Sequence, residues 1–223
     1  MTFSEQMIQK IAPLMLRINT HPFIQELKSG ELSPHVFGHY IEQDSYYLTH
    51  YSKALALLAA RSHESAHIEA FLDFSKGALI AEKEGVHDIF RGKLNVSHSN
   101  ERTFACLAYV HFLRSTCALD PIEVAAAAIL PCFWIYHAVG ITLTQNHSFP
   151  NHHPYLPWLE VYGGEDFANG VSRACTIVDQ LATAASPHLR TRMESAFLIS
   201  AQLEWHFWDD AYHQRWIGHH GAL

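Results

Sequence analysis

The chain has 223 residues, a formal charge of −7 and 48% hydrophobic residues, enough for one compact domain with a sizeable core. Its 15 lysines and arginines are spread thinly, without a basic stripe, which argues against nucleic-acid binding through phosphates. No apolar run of about 18 residues suggests a membrane span, no leader opens Met1-Thr-Phe-Ser-Glu-Gln6, and Cys106, Cys117, Cys132 and Cys175 form no CxxC or zinc pattern. The expectation is a cytoplasmic protein with reduced thiols.

Helical periodicity dominates and no alternating strand of useful length interrupts it. A first helix is expected over about residues 3–19, bent at Pro13. His21-Pro22-Phe23 opens a short helix that stops near Gly30. Ser33-Pro34 pairs a cap residue with proline at the first helical position and launches a long helix to about residue 63. A fourth helix follows over roughly 64–91, and Asn100 is placed to cap the next, which runs to Ala118. Asp120-Pro121-Ile-Glu123 repeats the cap-then-proline signature, with Glu123 positioned for a capping box. Residues 145–154 form a polar loop, and short and long helices complete the chain over about 155–162, 165–184 and 188–214, the last capped by Ser186-Pro187. Seven to nine helices with short links and no repeat or linker specify an all-α, single-domain helical bundle over residues 1–223.

Three places in this bundle carry chemistry. Cys132 follows Pro131 in an apolar, alanine-rich run. Proline removes the N–H that the Ala127 carbonyl would accept, so a kink there can turn the thiol into a cavity, with Tyr136 one turn on. A buried space-filling cysteine is the plainer alternative. On the long third helix Phe37, Tyr40, Asp44, Tyr47 and Tyr51 fall on one stripe. Burying Asp44 there costs several kcal/mol unless it meets a partner, a ligand or a wet pocket. The aromatic neighbours suit a flat, ring-shaped ligand. On the last helix Glu204 shares a mainly apolar face with Phe197, Ser200 and Trp208. Burial would raise its pKa toward that of a general acid near neutrality, whereas a solvated edge or an arginine partner would leave it ordinary. Asp209 and Asp210 fall on flanking faces and read as exposed. Tyr109 and Tyr162 stand where these helices can meet.

A di-iron site is the competing metal reading. Glu84 and His87 have the required i, i+3 spacing, and Glu204, His206 and His213 are available, but Asp179, His137 and Glu123 do not complete a second half-set. Histidines in the loop and tail (His147, His152, His153, His219, His220) read as surface groups with incidental metal affinity. No metal and no cofactor is expected.

Five segments in order, His21-Pro22-Phe23, Gln43-Asp-Ser-Tyr-Tyr-Leu48, Leu130-Pro-Cys-Phe-Trp-Ile-Tyr136, Trp158-Leu-Glu-Val-Tyr-Gly163 and Glu204-Trp-His-Phe-Trp-Asp-Asp-Ala-Tyr212, resemble the TenA/thiaminase II family. The resemblance spans nearly the whole chain. It implies a heme-oxygenase-like fold, a homotetramer, and hydrolysis of thiamin breakdown products. The chief substrate implied is 4-amino-5-aminomethyl-2-methylpyrimidine, converted to the hydroxymethylpyrimidine used in thiamin salvage, with thiamin itself as another. Carried over by position, Cys132 is implied as the nucleophile that adds to a ring carbon and Glu204 as the acid. Asp44 is implied to hold the ring nitrogen and exocyclic amine, and Tyr47, Tyr109, Tyr136 and Tyr162 to stack on the ring or bond its edge. Phe133 and His137 stand where other members often carry tyrosines. Two readings from other classes are an oxygen-activating metal oxidase on the same fold and a non-catalytic pyrimidine-binding or regulatory protein.

Overall fold

A computed structural model describes residues 1–83, 101–145 and 149–217. Among them stand ten helices and no strand. In chain order they are α1 (Phe3–Lys10), α2 (Ala12–Asn19), α3 (Pro22–Ser29), α4 (Pro34–Arg61), α5 (Ser65–Lys83), α6 (Phe104–Leu119), α7 (Ile122–Thr144), α8 (Leu156–Tyr162), α9 (Glu165–Ala184) and α10 (Pro187–His213).

Local chemistry sets most of these boundaries. Thr2 and Glu5 form a reciprocal capping box at the start of α1. The expected bend at Pro13 is a break instead. Ile11 ends α1, and Pro13 lies in the first turn of α2, where its missing N–H costs nothing. Gly30 closes α3 in the left-handed conformation at φ 79°, with the amides of Glu31 and Leu32 both donating to the Glu26 carbonyl. Ser186 accepts from the Leu189 amide, as the sequence led us to expect.

Other caps differ from expectation. Pro34 starts α4 without a side-chain bond from Ser33. The Thr103 hydroxyl caps α6 by accepting from Cys106 N, while Asn100 and the end of the expected fourth helix lie outside the described residues. No capping box opens α7, because the Asp120 carboxylate accepts from Arg192 at 2.6 Å and its carbonyl accepts from Arg61. A guanidinium satisfies that carboxylate more strongly than a neutral amide.

Helix α7 lies at the centre and packs most extensively on α10, with α9 and α8 on other sides, while α4 packs on α5 and α6. One buried apolar cluster draws side chains from all ten helices. Helix α7 also corrects the sequence reading on one point. An 18-residue window within it reaches a mean hydropathy of 1.8, long and apolar enough for a span, and 67% of that window is buried among the other helices. The same composition serves a core helix packed on several sides.

Candidate active site

Helix α7 is continuous through Pro131, and Cys132 is turned toward α4, where it is nearly buried. Tyr51 fixes the local backbone by donating from its hydroxyl to the Ile129 carbonyl at 2.8 Å. Along α4 the stripe divides by depth. Phe37 packs on Tyr155 at 4.5 Å between ring centroids and stays in the core. Asp44, Tyr47 and Tyr51 line a cavity of about 760 Å³ together with Cys132, Tyr136 and Tyr162.

Tyr136 and Tyr162 are 4.9 Å apart, and Trp158 stands 4.5 Å from Tyr162. A chain of donors orders this wall: Trp158 Nε1 to the Tyr40 hydroxyl at 3.3 Å, and Tyr40 to the Tyr136 hydroxyl at 3.4 Å. Tyr162 is placed by a close approach of α7 and α8. A Cβ on Gly140 would fall 2.4 Å from the Tyr162 carbonyl carbon, so only glycine fits there. His137 reinforces the contact by donating from Nδ1 to the Tyr162 carbonyl at 3.2 Å.

Glu204 and Tyr109 stand behind the lining residues rather than among them. Tyr109 donates to Glu204 Oε1 at 2.8 Å, and its ring lies 4.9 Å from that of Tyr47. Glu204 is 2% exposed. Burial pushes its pKa up to about 8, the Tyr109 bond pulls the other way, and the charge of Asp44 adds to the rise. The Cys132 thiol is pushed well above its ordinary value by burial and by Glu204, against which the nearby hydroxyls of Tyr47 and Tyr51 act. The Tyr47 hydroxyl is buried and makes no regular hydrogen bond with a protein atom. Such a donor at a cavity wall is disposed to meet a polar edge of whatever binds.

Of the seven residues singled out from sequence, five line one cavity and two support it from behind. The arrangement brings a thiol, a carboxylic acid held protonated at neutral pH and a second carboxylate to one aromatic cage.

The structure also corrects the exposed reading of Asp209 and Asp210. Asp209 bonds His21 and Arg215, and buried Asp210 accepts from the Ala105 amide at 3.0 Å. His153 is buried as well, its Nε2 on the Lys28 carbonyl and its Nδ1 accepting from Tyr155 N. Sequence reasoning missed the outer wall: Asp73, Phe74 and Gly77 on α5, and Glu165, Asp166 and Phe167 on α9. The i, i+4 pair Phe74 and Ala78 was the one local signal. Among the described residues no group of three or more His, Cys, Asp or Glu side chains could hold a metal ion, and Glu84 and His87 lie outside them.

Comparison with known proteins identifies the fold and the family. The chain is 32% identical over 217 residues to the aminopyrimidine aminohydrolase of Bacillus subtilis strain 168, covering 95% of this chain and 90% of that one. A TenA homologue from Pyrococcus furiosus superposes with a TM-score of 0.86 at 20% identity, over 94% of this chain and 100% of that one. A domain with a heme oxygenase-like fold from Shewanella denitrificans superposes with a TM-score of 0.66 at 14% identity, over 94% and 92% of the two chains. The bundle is thus heme oxygenase-like. The profile of the TENA/THI-4/PQQC family matches residues 8–214, a span that holds every helix of the cavity, and the chain belongs to that family.

Proposed function

We propose that the protein hydrolyses a C–N bond of thiamin-derived aminopyrimidines. It would convert 4-amino-5-aminomethyl-2-methylpyrimidine and water to the hydroxymethylpyrimidine and ammonia, and cleave thiamin by the same route. The observation that carries this reading is the meeting of Cys132, Asp44 and Tyr136 at one cavity wall, with protonated Glu204 behind it. The relative in Bacillus subtilis named aminopyrimidine aminohydrolase supports the reaction class.

In this mechanism the ring lies among Tyr47, Tyr136 and Tyr162, and Asp44 binds its nitrogen edge. Burial keeps the resting thiol protonated, so its proton passes to the ring as sulfur adds to a ring carbon. Glu204, as the adjacent acid, holds the amine in its ammonium form, and electron density gained by the ring expels it from the exocyclic methylene as ammonia. Water then adds to the methylene and passes its proton to the departing ammonia, and elimination of the thiol, with the proton the ring had taken, restores the aromatic ring and Cys132.

With this reading go a homotetramer and a cytoplasmic address. Large apolar side chains exposed on the isolated chain support association, among them Leu119 at 83% and Phe104 at 72% exposure. Light scattering on the purified protein tests the assembly.

The first experiment compares wild type with Cys132→Ser, each given aminomethylpyrimidine and, separately, thiamin. Ammonia or thiazole release by wild type, reduced about 10³-fold or more in the variant, is the expected outcome for loss of a covalent nucleophile. Undiminished turnover by the variant would remove Cys132 from the mechanism.

A further inference from the structure

The mouth of the cavity has a chemistry distinct from its floor. Asp73 on α5, Glu160 on α8, and Glu165 and Asp166 in the first turn of α9 all line it. Among the described residues no lysine, arginine or histidine lines it. Asp73 is bound by Arg173 at 2.8 Å. Glu160, Glu165 and Asp166 are exposed, and no ion pair engages them among the described residues.

Two further observations bear on what this negative mouth opens onto. Deeper in the same cavity the buried Tyr47 hydroxyl makes no regular hydrogen bond with a protein atom. At the entrance, Gly77 and Gly170 leave the passage wide, since a Cβ on either would meet nothing within 4 Å. A cleft lined by one sign of charge with apolar walls focuses its field and concentrates counter-charged solutes.

We infer that the mouth selects substrates by charge, drawing in aminopyrimidines that carry a cationic side group and rejecting phosphate esters of the same ring. This rests on the proposed reading of the cavity as an aminopyrimidine site. An ammonium group about 8 Å from one carboxylate in water gains roughly a twofold preference at low salt, and three carboxylates give roughly tenfold. Inside, the same positive charge offsets the negative neighbours of Cys132 and favours its thiolate.

The test compares wild type with the combined variant Glu160→Gln, Glu165→Gln, Asp166→Asn, whose exposed positions leave the core untouched. Calorimetric binding and turnover are measured from roughly 20 to 200 mM NaCl, a range that moves the screening length across the mouth. The probes are aminomethylpyrimidine, which is cationic at neutral pH, the uncharged hydroxymethylpyrimidine, and the phosphate ester of the latter. Wild type should bind the cationic probe severalfold more weakly as salt rises. The variant should bind it about five- to tenfold more weakly at low salt, with little salt response, an unchanged affinity for the uncharged probe and a gain for the phosphate ester. Its kcat should match that of wild type. Equal affinities and equal salt response in the two proteins would overturn the inference. Charge-ordered binding without ammonia release by wild type would instead sink the proposed hydrolysis and leave charge selection standing.

Discussion

The floor and the mouth of the cavity are both rich in carboxylates, yet the two ends treat charge in opposite ways. At the floor Glu204 and Asp44 are each 2% exposed, and removal from water displaces the Glu204 pKa to about 8. At the mouth Glu160, Glu165 and Asp166 stand in solvent, where a charge is screened and acts on what approaches rather than on the protein's own stability. The lesson is one of burial: the same functional group is an acid at one end and a field at the other.

The sharpest way to break that contrast is Glu204→Gln, which keeps the shape and removes the titration. As a proton donor Glu204 is competent below about pH 8, so wild-type kcat should fall as pH rises through 8. The variant should lose about 10²–10⁴-fold in kcat and, with it, that limb of the profile. Wild-type stability should fall with rising pH as well. A carboxylate whose folded pKa is raised favours the folded state at low pH and loses that contribution as pH rises to the folded value. Wild type should therefore lose stability from about pH 4.5 to 8 relative to Glu204→Gln, by on the order of a few kcal/mol, in denaturant melts at several pH values.

Gly140→Ala probes the floor through its scaffold. A methyl group forced within 2.4 Å of the Tyr162 backbone should cost about 1–3 kcal/mol and weaken ring binding as Tyr162 is displaced, read by melting and by KM. Tyr47→Phe separates stability from activity. Its hydroxyl has no regular partner, so stability should change by less than about 0.5 kcal/mol while kcat/KM falls. The smallest effect belongs to the mouth. Asp73→Asn breaks an ion pair whose side chains are 66% and 42% exposed, and should shift stability by less than about 1 kcal/mol.

What could be read in the sequence followed from helical spacing. Asp44, Tyr47 and Tyr51 share a stripe because steps of three and four return to one face, and Glu204 aligns with Ser200 and Trp208 for the same reason. The outer wall could not be read that way. Phe74, Gly77 and Phe167 come from helices far apart in the chain and meet only through packing. Asp210 deceived for a related reason. Its own helix face looked solvent-facing, and only the end of α6, seated on it, makes it buried. Caps misled at Asp120, where a distant arginine outcompeted the local amide.

The pairing of α10 with α6 has a mechanical consequence. Two rungs join them: Asp210 to the Ala105 amide and Glu204 to the Tyr109 hydroxyl, one turn further along α6. A single rung would act as a pivot about which α10 could tilt against α6. On a helix of 27 residues, about 40 Å long, even a small tilt would swing the Glu204 carboxyl by an ångström. Two rungs at different heights convert the pivot into a ladder, so that holding the Glu204 carboxyl in place is a task shared with the Asp210 carboxylate nearly two turns away.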